Sequence, residues 1–124
     1  MKILVVDDSN IALRHELLIL QKGPYELITA RNGKEAVDVT KESRPDLVLM
    51  DVVMPEMNGF DAVRAIRADQ EIQDTPIIMV TTRGDPAQVE EGYAAGCSDF
   101  VTKPVDGPEL LSKIRSILGL EAGQ

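Results

Sequence analysis

The sequence has no tryptophan, two phenylalanines and two tyrosines, so aromatics make up only 3% of its 124 residues. A core must therefore be assembled from Val, Ile, Leu, Ala and Met, and the 44% hydrophobic content supplies them. Cysteine occurs once, at Cys97, and histidine once, at His15. An internal disulfide is thereby excluded, and Cys and His cannot build a four-ligand zinc site. Basic residues number 13 against 21 acidic ones, for a net charge of −8. That balance argues against nucleic acid or an anionic membrane as a direct partner, because phosphate binding needs a basic footprint. It suits a cation. No apolar run reaches the length of a membrane span, and Met1-Lys2 leads straight into an apolar stretch with no signal-peptide core, which points to a cytoplasmic protein. One domain is expected at this length, burying about two-thirds of its unfolded surface without a covalent staple.

What the sequence does have is a set of short apolar runs that end in polar residues. Leu47-Val48-Leu49-Met50 stops at Asp51, Ile3-Leu4-Val5-Val6 runs into Asp7-Asp8, and Ile77-Ile78-Met79-Val80 runs into Thr81-Thr82. Continuous apolar runs of this length read as strands buried on both faces, the pattern of a parallel sheet.

Helical signals fall between the runs. Strands are expected at Lys2–Val6, Tyr25–Ala30, Asp46–Met50, Pro76–Val80 and Cys97–Thr102. Asp8-Ser9-Asn10 offers cap residues for a helix carrying Ile11, Leu13, Leu17, Leu18 and Leu20, with His15 on its solvated side. Asn32 with Glu35 has capping-box spacing for a helix bearing Ala36, Val37 and Val39, which Arg44-Pro45 should end. Phe60, Ala62, Val63 and Ile66 form a third helical stripe, fraying into the polar stretch Ala68–Thr75. Gly84-Asp85-Pro86 reads as loop, N-cap and first-turn proline of a fourth helix, whose weakly apolar body contains Gly92 and should be the least stable. Asp106, Pro108 and Glu109 start a last helix with Leu110, Leu111, Ile114, Ile117 and Leu118 in register, which Gly119 can end.

Five strand-then-helix units imply a single doubly wound α/β domain with a parallel sheet and right-handed crossovers. For five strands the flavodoxin-like order 2-1-3-4-5 is expected, with a ligand crevice where the first and third strands diverge. Asp7, Asp8 and Asp51 end those two strands. Three carboxylates in one crevice repel one another, and a hard divalent cation such as Mg²⁺ resolves this. A carboxylate beside such a cation can attack phosphorus, and Lys103 and Thr81 at neighbouring strand ends can hold phosphoryl oxygens. Taken singly these residues have ordinary roles: Asp8 or Asp51 as caps, Thr81 as a strand-end hydroxyl, Lys103 as a solvated charge, Phe100 as a core or boundary residue. The functional reading rests on the set, which occupies the ends of four of the five strands.

Val5-Val6-Asp7-Asp8-Ser9, Asp51 with Met54-Pro55 and Gly59, Thr81, and Lys103-Pro104 together resemble the receiver domain of two-component response regulators. The resemblance spans Lys2 to about Leu118, so residues 1–119 are expected to form the receiver and residues 120–124 a polar tail or the start of a linker. It implies that Asp51 is the phosphoacceptor for a histidine kinase or phosphotransfer protein. It further implies that Asp7, Asp8, Asp51 and the Val53 carbonyl hold Mg²⁺, that Thr81 and Lys103 bind the phosphoryl group, and that Lys103-Pro104 is cis. Phe100, three residues before the lysine, falls where the family has its aromatic switch. In that scheme phosphorylation draws in Thr81 and Lys103, Phe100 turns inward, and the face made by the fourth helix, fifth strand and fifth helix changes for a downstream protein target, or for an effector domain outside this chain. A phosphorylation-dependent dimer through the fourth and fifth helices is a further family expectation.

Departures from the family pattern are informative. Val53 offers no polar side chain to orient an attacking water, and Arg83 puts a long cation nearby, so slow self-dephosphorylation is expected. Thr82 is larger than the residue the family generally has there, which should narrow the access of phosphodonors to Asp51. Phe100 replaces the frequent tyrosine and can switch only by packing. Two other readings compete: a Mg²⁺-dependent phosphatase with an aspartyl nucleophile, for which the short loops leave little room for a general acid or a substrate cap, and a pseudo-receiver that acts as an unphosphorylated scaffold, whose usual mark is a lost acid or lysine. The expectation is a regulated binding module and not an enzyme in its own right.

Overall fold

The structure is a computed structural model and describes residues 1–54, 57–81 and 86–119. Five strands alternate with five helices: β1 (Lys2–Val6), α1 (Asn10–Leu20), β2 (Glu26–Ala30), α2 (Gly33–Ser43), β3 (Leu47–Asp51), α3 (Gly59–Ala68), β4 (Ile77–Thr81), α4 (Pro86–Ala95), β5 (Asp99–Thr102) and α5 (Gly107–Ile117). The strands form one sheet in the order β2-β1-β3-β4-β5, every neighbouring pair parallel. The expected order is thus the observed one.

Side-chain alternation divides the core into two layers. Leu4, Val6, Val48, Met50, Ile77 and Met79 face α2, α3 and α4, while Ile3, Val5, Leu47, Leu49, Ile78 and Val80 face α1 and α5. Every residue of β3 and β4 is buried, as runs covered on both faces must be. The layers are unequal in aromatic content, because both phenylalanines, Phe60 and Phe100, lie on the α2–α4 side.

Helix starts follow local hydrogen-bond chemistry. Ser9, Asn32, Asn58 and Asp106 accept from the backbone N–H three residues on, at 3.3, 2.8, 2.9 and 3.0 Å. Glu35 also reaches back to Arg31 N at 3.2 Å, close to the expected capping box. Arg44 ends α2 in the left-handed region, with φ 49°, and Gly119 adopts φ 74° just past the end of α5. The N-cap expected at Asp85, the residues Pro55, Thr82, Arg83 and Gly84, and the tail 120–124 lie outside the described residues.

The limits of β1 are those expected, the other strands differ by one or two residues, and β3 and β4 include Asp51 and Thr81 themselves. The polar end groups therefore belong to the sheet, positioned by ladder hydrogen bonds. The larger difference is in α1. Its buried residues are Leu13, Glu16, Ile19 and Leu20, whereas Ile11 is 84% and Leu18 56% exposed. His15 is on the solvent side, as expected.

Candidate phosphoacceptor site

Strands β1 and β3 are paired at the centre of the sheet, where the strand order reverses, and the acids gather at their carboxyl ends. Carboxylate oxygens of Asp7, Asp8 and Asp51 all lie within 4.8 Å of one another, with Asp7 and Asp51 buried and Asp8 exposed. Asp51 is placed by β3 and by the segment after it: Val52 N donates to Val80 O at 3.0 Å, and Gly59 N donates back to Val52 O at 2.9 Å. The turn into α3 passes so near the end of β3 that a Cβ at Gly59 would collide with the Asp51 carbonyl oxygen and sit 2.7 Å from Met79 Cε. Only glycine fits at that position.

Lys103 follows β5 across the crevice, and the Lys103-Pro104 peptide is cis. Its backbone N donates to Thr81 O at 2.7 Å, which ties the lysine to the end of β4. Its Nζ lies 3.0 Å from Asp7 Oδ2 and 3.4 Å from Asp51 Oδ1, a cation bridging two buried acids. Thr81 is buried at the end of β4, one register step beyond Val80, which pairs with Asp51.

Burial first, and the neighbouring charge of Asp7 second, push the Asp51 carboxyl up to about 6, while Lys103 pulls the other way. Burial alone would lower the Lys103 ammonium, but its hydrogen bond to Asp7 and the charges of Asp51, Asp7 and Glu16 outweigh this and hold it above its usual value. At neutral pH the group facing the crevice is therefore an ionised Asp51 beside a protonated lysine.

Two contributors fall outside the strand-end set to which the sequence points. Arg31, just after β2, donates from Nε to Asp7 O at 3.2 Å and from Nη2 to Asp8 O at 3.0 Å, fixing the main chain beneath both acids. Glu16 is 1% exposed, and neither of its carboxyl oxygens has a hydrogen-bond partner among the described residues. Burial, then the proximity of Asp7, push it up to about 9. In the sequence Glu16 has helical spacing from Leu13 and Leu20, but Ile11 and Leu18 mask that cue by suggesting a different apolar face. Arg31 offered no such cue.

Two remaining site residues have distinct surroundings. Val53 is 65% exposed beside the crevice. Phe100 is 8% exposed under α4, so an inward turn of this ring would begin from a position already out of solvent.

The donor set fits Mg²⁺: three carboxylates, all hard oxygen ligands, around a position where three acids meet one lysine. A cation there would relieve the Asp7 repulsion that adds to burial in raising Asp51.

Comparison with known proteins agrees with this geometry. Protein PilH of Pseudomonas aeruginosa is 38% identical over 117 residues, covering 94% of this chain and 97% of that one. The chemotaxis response regulator CheY4 of Vibrio cholerae superposes with a TM-score of 0.86 at 36% identity, over 94% of this chain and 97% of that one. The receiver domain of a sensor histidine kinase from Pseudomonas aeruginosa, with a magnesium ion coordinated in its active-site cleft, superposes with a TM-score of 0.89 at 29% identity, over 95% of this chain and 97% of that one. The pattern described as the response regulator receiver domain matches residues 3–115, from the first strand into the last helix. This chain belongs to the response regulator receiver domain family of two-component signalling.

Proposed function

We propose that Asp51 accepts a phosphoryl group from a phosphohistidine on a histidine kinase or phosphotransfer protein, with Mg²⁺ present, and that the acyl phosphate switches the face formed by α4, β5 and α5. The observation that carries this reading is the buried Asp51 carboxyl with two further carboxylates within 4.8 Å and Lys103 Nζ at 3.4 Å. Such a site is built to gather positive charge around a reacting oxygen.

An Asp51 carboxylate oxygen attacks phosphorus; the P–O bond forms as the P–N bond to imidazole breaks, and the nitrogen keeps the electron pair. Little covalent work falls to the protein beyond positioning and charge neutralisation. Asp7, Asp8, Asp51 and the Val53 carbonyl would hold Mg²⁺, which supplies charge to the transferring phosphoryl oxygens when bound. Lys103, already beside Asp51, moves its ammonium from the carboxylates to a phosphoryl oxygen, and Thr81 at the adjacent strand end donates its hydroxyl to another. Breaking the Lys103 bridge and drawing Thr81 forward shifts the ends of β4 and β5, from which α4 and α5 depart.

Features around the crevice suit a protein donor. On the α1 side an open cavity of about 430 Å³ is lined by Ser9, Ile11, Ala12, Glu16, Lys103 and Pro104 among others. The exposed Ile11 gives its rim an apolar contact, and Lys103 links it to the phosphoacceptor.

The test is transfer from a kinase phosphorylated on histidine with labelled phosphate. Label should pass to this protein, be released by hydroxylamine as an acyl phosphate is, and fail to appear on Asp51→Asn. Label retained by the kinase, with the purified pair shown to bind, would instead favour the scaffold reading.

A further inference from the structure

Helix α4 has little to hold it on the sheet. Among its described residues only Gly92 and Ala95 are buried, and one of these is glycine, a poor helix residue in a helix interior. The choice is explained by what lies beneath. A Cβ at residue 92 would stand 2.5 Å from Phe100 Cε2 and closer still to Cζ, with Cys97 Sγ at 3.4 Å. The ring of Phe100 therefore sits directly against the α4 backbone in a seat that any side chain would fill.

Two other contacts hold Phe100 there. Tyr93 packs edge-on, ring centroids 5.5 Å apart with an interplanar angle of 63°. From the opposite side Lys113 on α5 donates to the Phe100 carbonyl and pairs with Asp99 at 3.3 Å. Phe100 thus joins α4 through its ring and α5 through its main chain. Its ring is on the same face of the sheet as Met79, its register partner on β4. By strand alternation Thr81, two residues further on, presents its side chain to that face as well.

We propose that Gly92 is the positioning residue that couples the phosphoacceptor site to α4. It provides the seat for Phe100 in the unphosphorylated protein, and the ring leaves this seat toward Thr81 when Thr81 is drawn to the phosphoryl group. The departure leaves a ring-sized void under the only glycine of α4, and the helix settles into it. The coupling rests on the phosphorylation reading above; the seat itself does not.

Gly92→Ala fills the seat and so favours the displaced ring without phosphate. By linkage, a change that favours this form must tighten a phosphoryl analogue by the same factor. The probe is beryllium fluoride with Mg²⁺, followed by NMR of the Tyr93 ring, easily assigned in a chain with two tyrosines and no tryptophan. In wild type, saturation should shift the Tyr93 signals. In Gly92→Ala the shift should be present in part beforehand, and half-saturation should fall at least threefold. Unmoved Tyr93 signals with unchanged or weaker analogue binding would overturn the coupling.

A thermal-melting cycle tests the seat without any phosphoryl chemistry. Gly92→Ala should lower Tm in wild type but raise it in a Phe100→Leu background, where no ring opposes the better helix former. The same sign in both backgrounds would overturn the seat. If wild type itself ignores beryllium fluoride while the melting cycle shows the sign reversal, the phosphorylation reading fails and the seat stands.

Discussion

At the scale of single residues, the site is governed by buried negative charge. Glu16 is pushed from its usual 4.5 to about 9, and Asp51 to about 6. Both folded values lie above those of the unfolded chain, so the folded protein holds protons that the unfolded chain releases. Their contribution is complete at low pH and is lost as pH rises, through about 6 for Asp51 and through about 9 for Glu16. At about 1.4 kcal/mol per unit, the cost from Glu16 at neutral pH is on the order of 3 kcal/mol. Metal-free protein should therefore lose stability steadily from about pH 5 to 9 in urea unfolding, and Glu16→Gln should flatten the upper half of that slope and raise stability at about pH 8. A slope unchanged by the substitution would place the charge burden elsewhere. Val53 makes a separate residue-scale case. Its exposed isopropyl group cannot orient water, so Val53→Asn should shorten the lifetime of the acyl phosphate, on the order of tenfold, as a positioned polar group aids proton transfer. Equal lifetimes would show that water access, not orientation, sets the rate.

At the scale of elements, the stretch after α3 shows how little of its order comes from apolar burial. Its polar sequence reads as frayed, yet Arg67 donates to Gly96 O at 2.9 Å and to Gln73 O and Thr75 O at 2.7 Å each. One guanidinium thus joins α3, the entry to β4 and the link between α4 and β5. Arg67→Ala should cost about 2–4 kcal/mol, since charged hydrogen bonds are lost and three carbonyls are left to water, whereas Arg67→Lys should recover only part of it. Urea midpoints of the three proteins decide this, and a loss near zero for Arg67→Ala would make the pin incidental. The strand ends were legible because an apolar run stopping at Asp7, Asp51 or Thr81 is a local pattern, and parallel strands bring their ends together. Glu16 was hidden because Ile11 and Leu18 complete an apolar set on α1 that turns out to face solvent. Arg31 and Arg67 act across chain separations for which no local spacing exists. Gly92 read as a weakness of α4, and only the position of Phe100 shows what the weakness accommodates.

At the scale of the whole molecule, a net charge of −8 and a central cluster of three acids lead to a testable expectation about cations. Mg²⁺ should raise Tm, adding about 2.7 kcal/mol when present at about 100 times its dissociation constant. Sodium chloride at matched ionic strength should do much less, and Asp8→Asn should remove most of the difference. Equal effects of the two salts would mean general screening rather than a site. The sheet explains why such a cluster survives in a folded protein: the central strands β3 and β4 are buried at every residue between two apolar layers, which offset the unfavourable charge in the crevice. On the reading proposed above, this gathered charge serves the chemistry of Asp51. It is tested most directly by intact-mass measurement after incubation with Mg²⁺ and acetyl phosphate, beside an EDTA control and Asp51→Asn. One phosphoryl adduct that requires both Mg²⁺ and Asp51 is expected; an unmodified mass under all three conditions, or an adduct that survives Asp51→Asn, would overturn the role of Asp51.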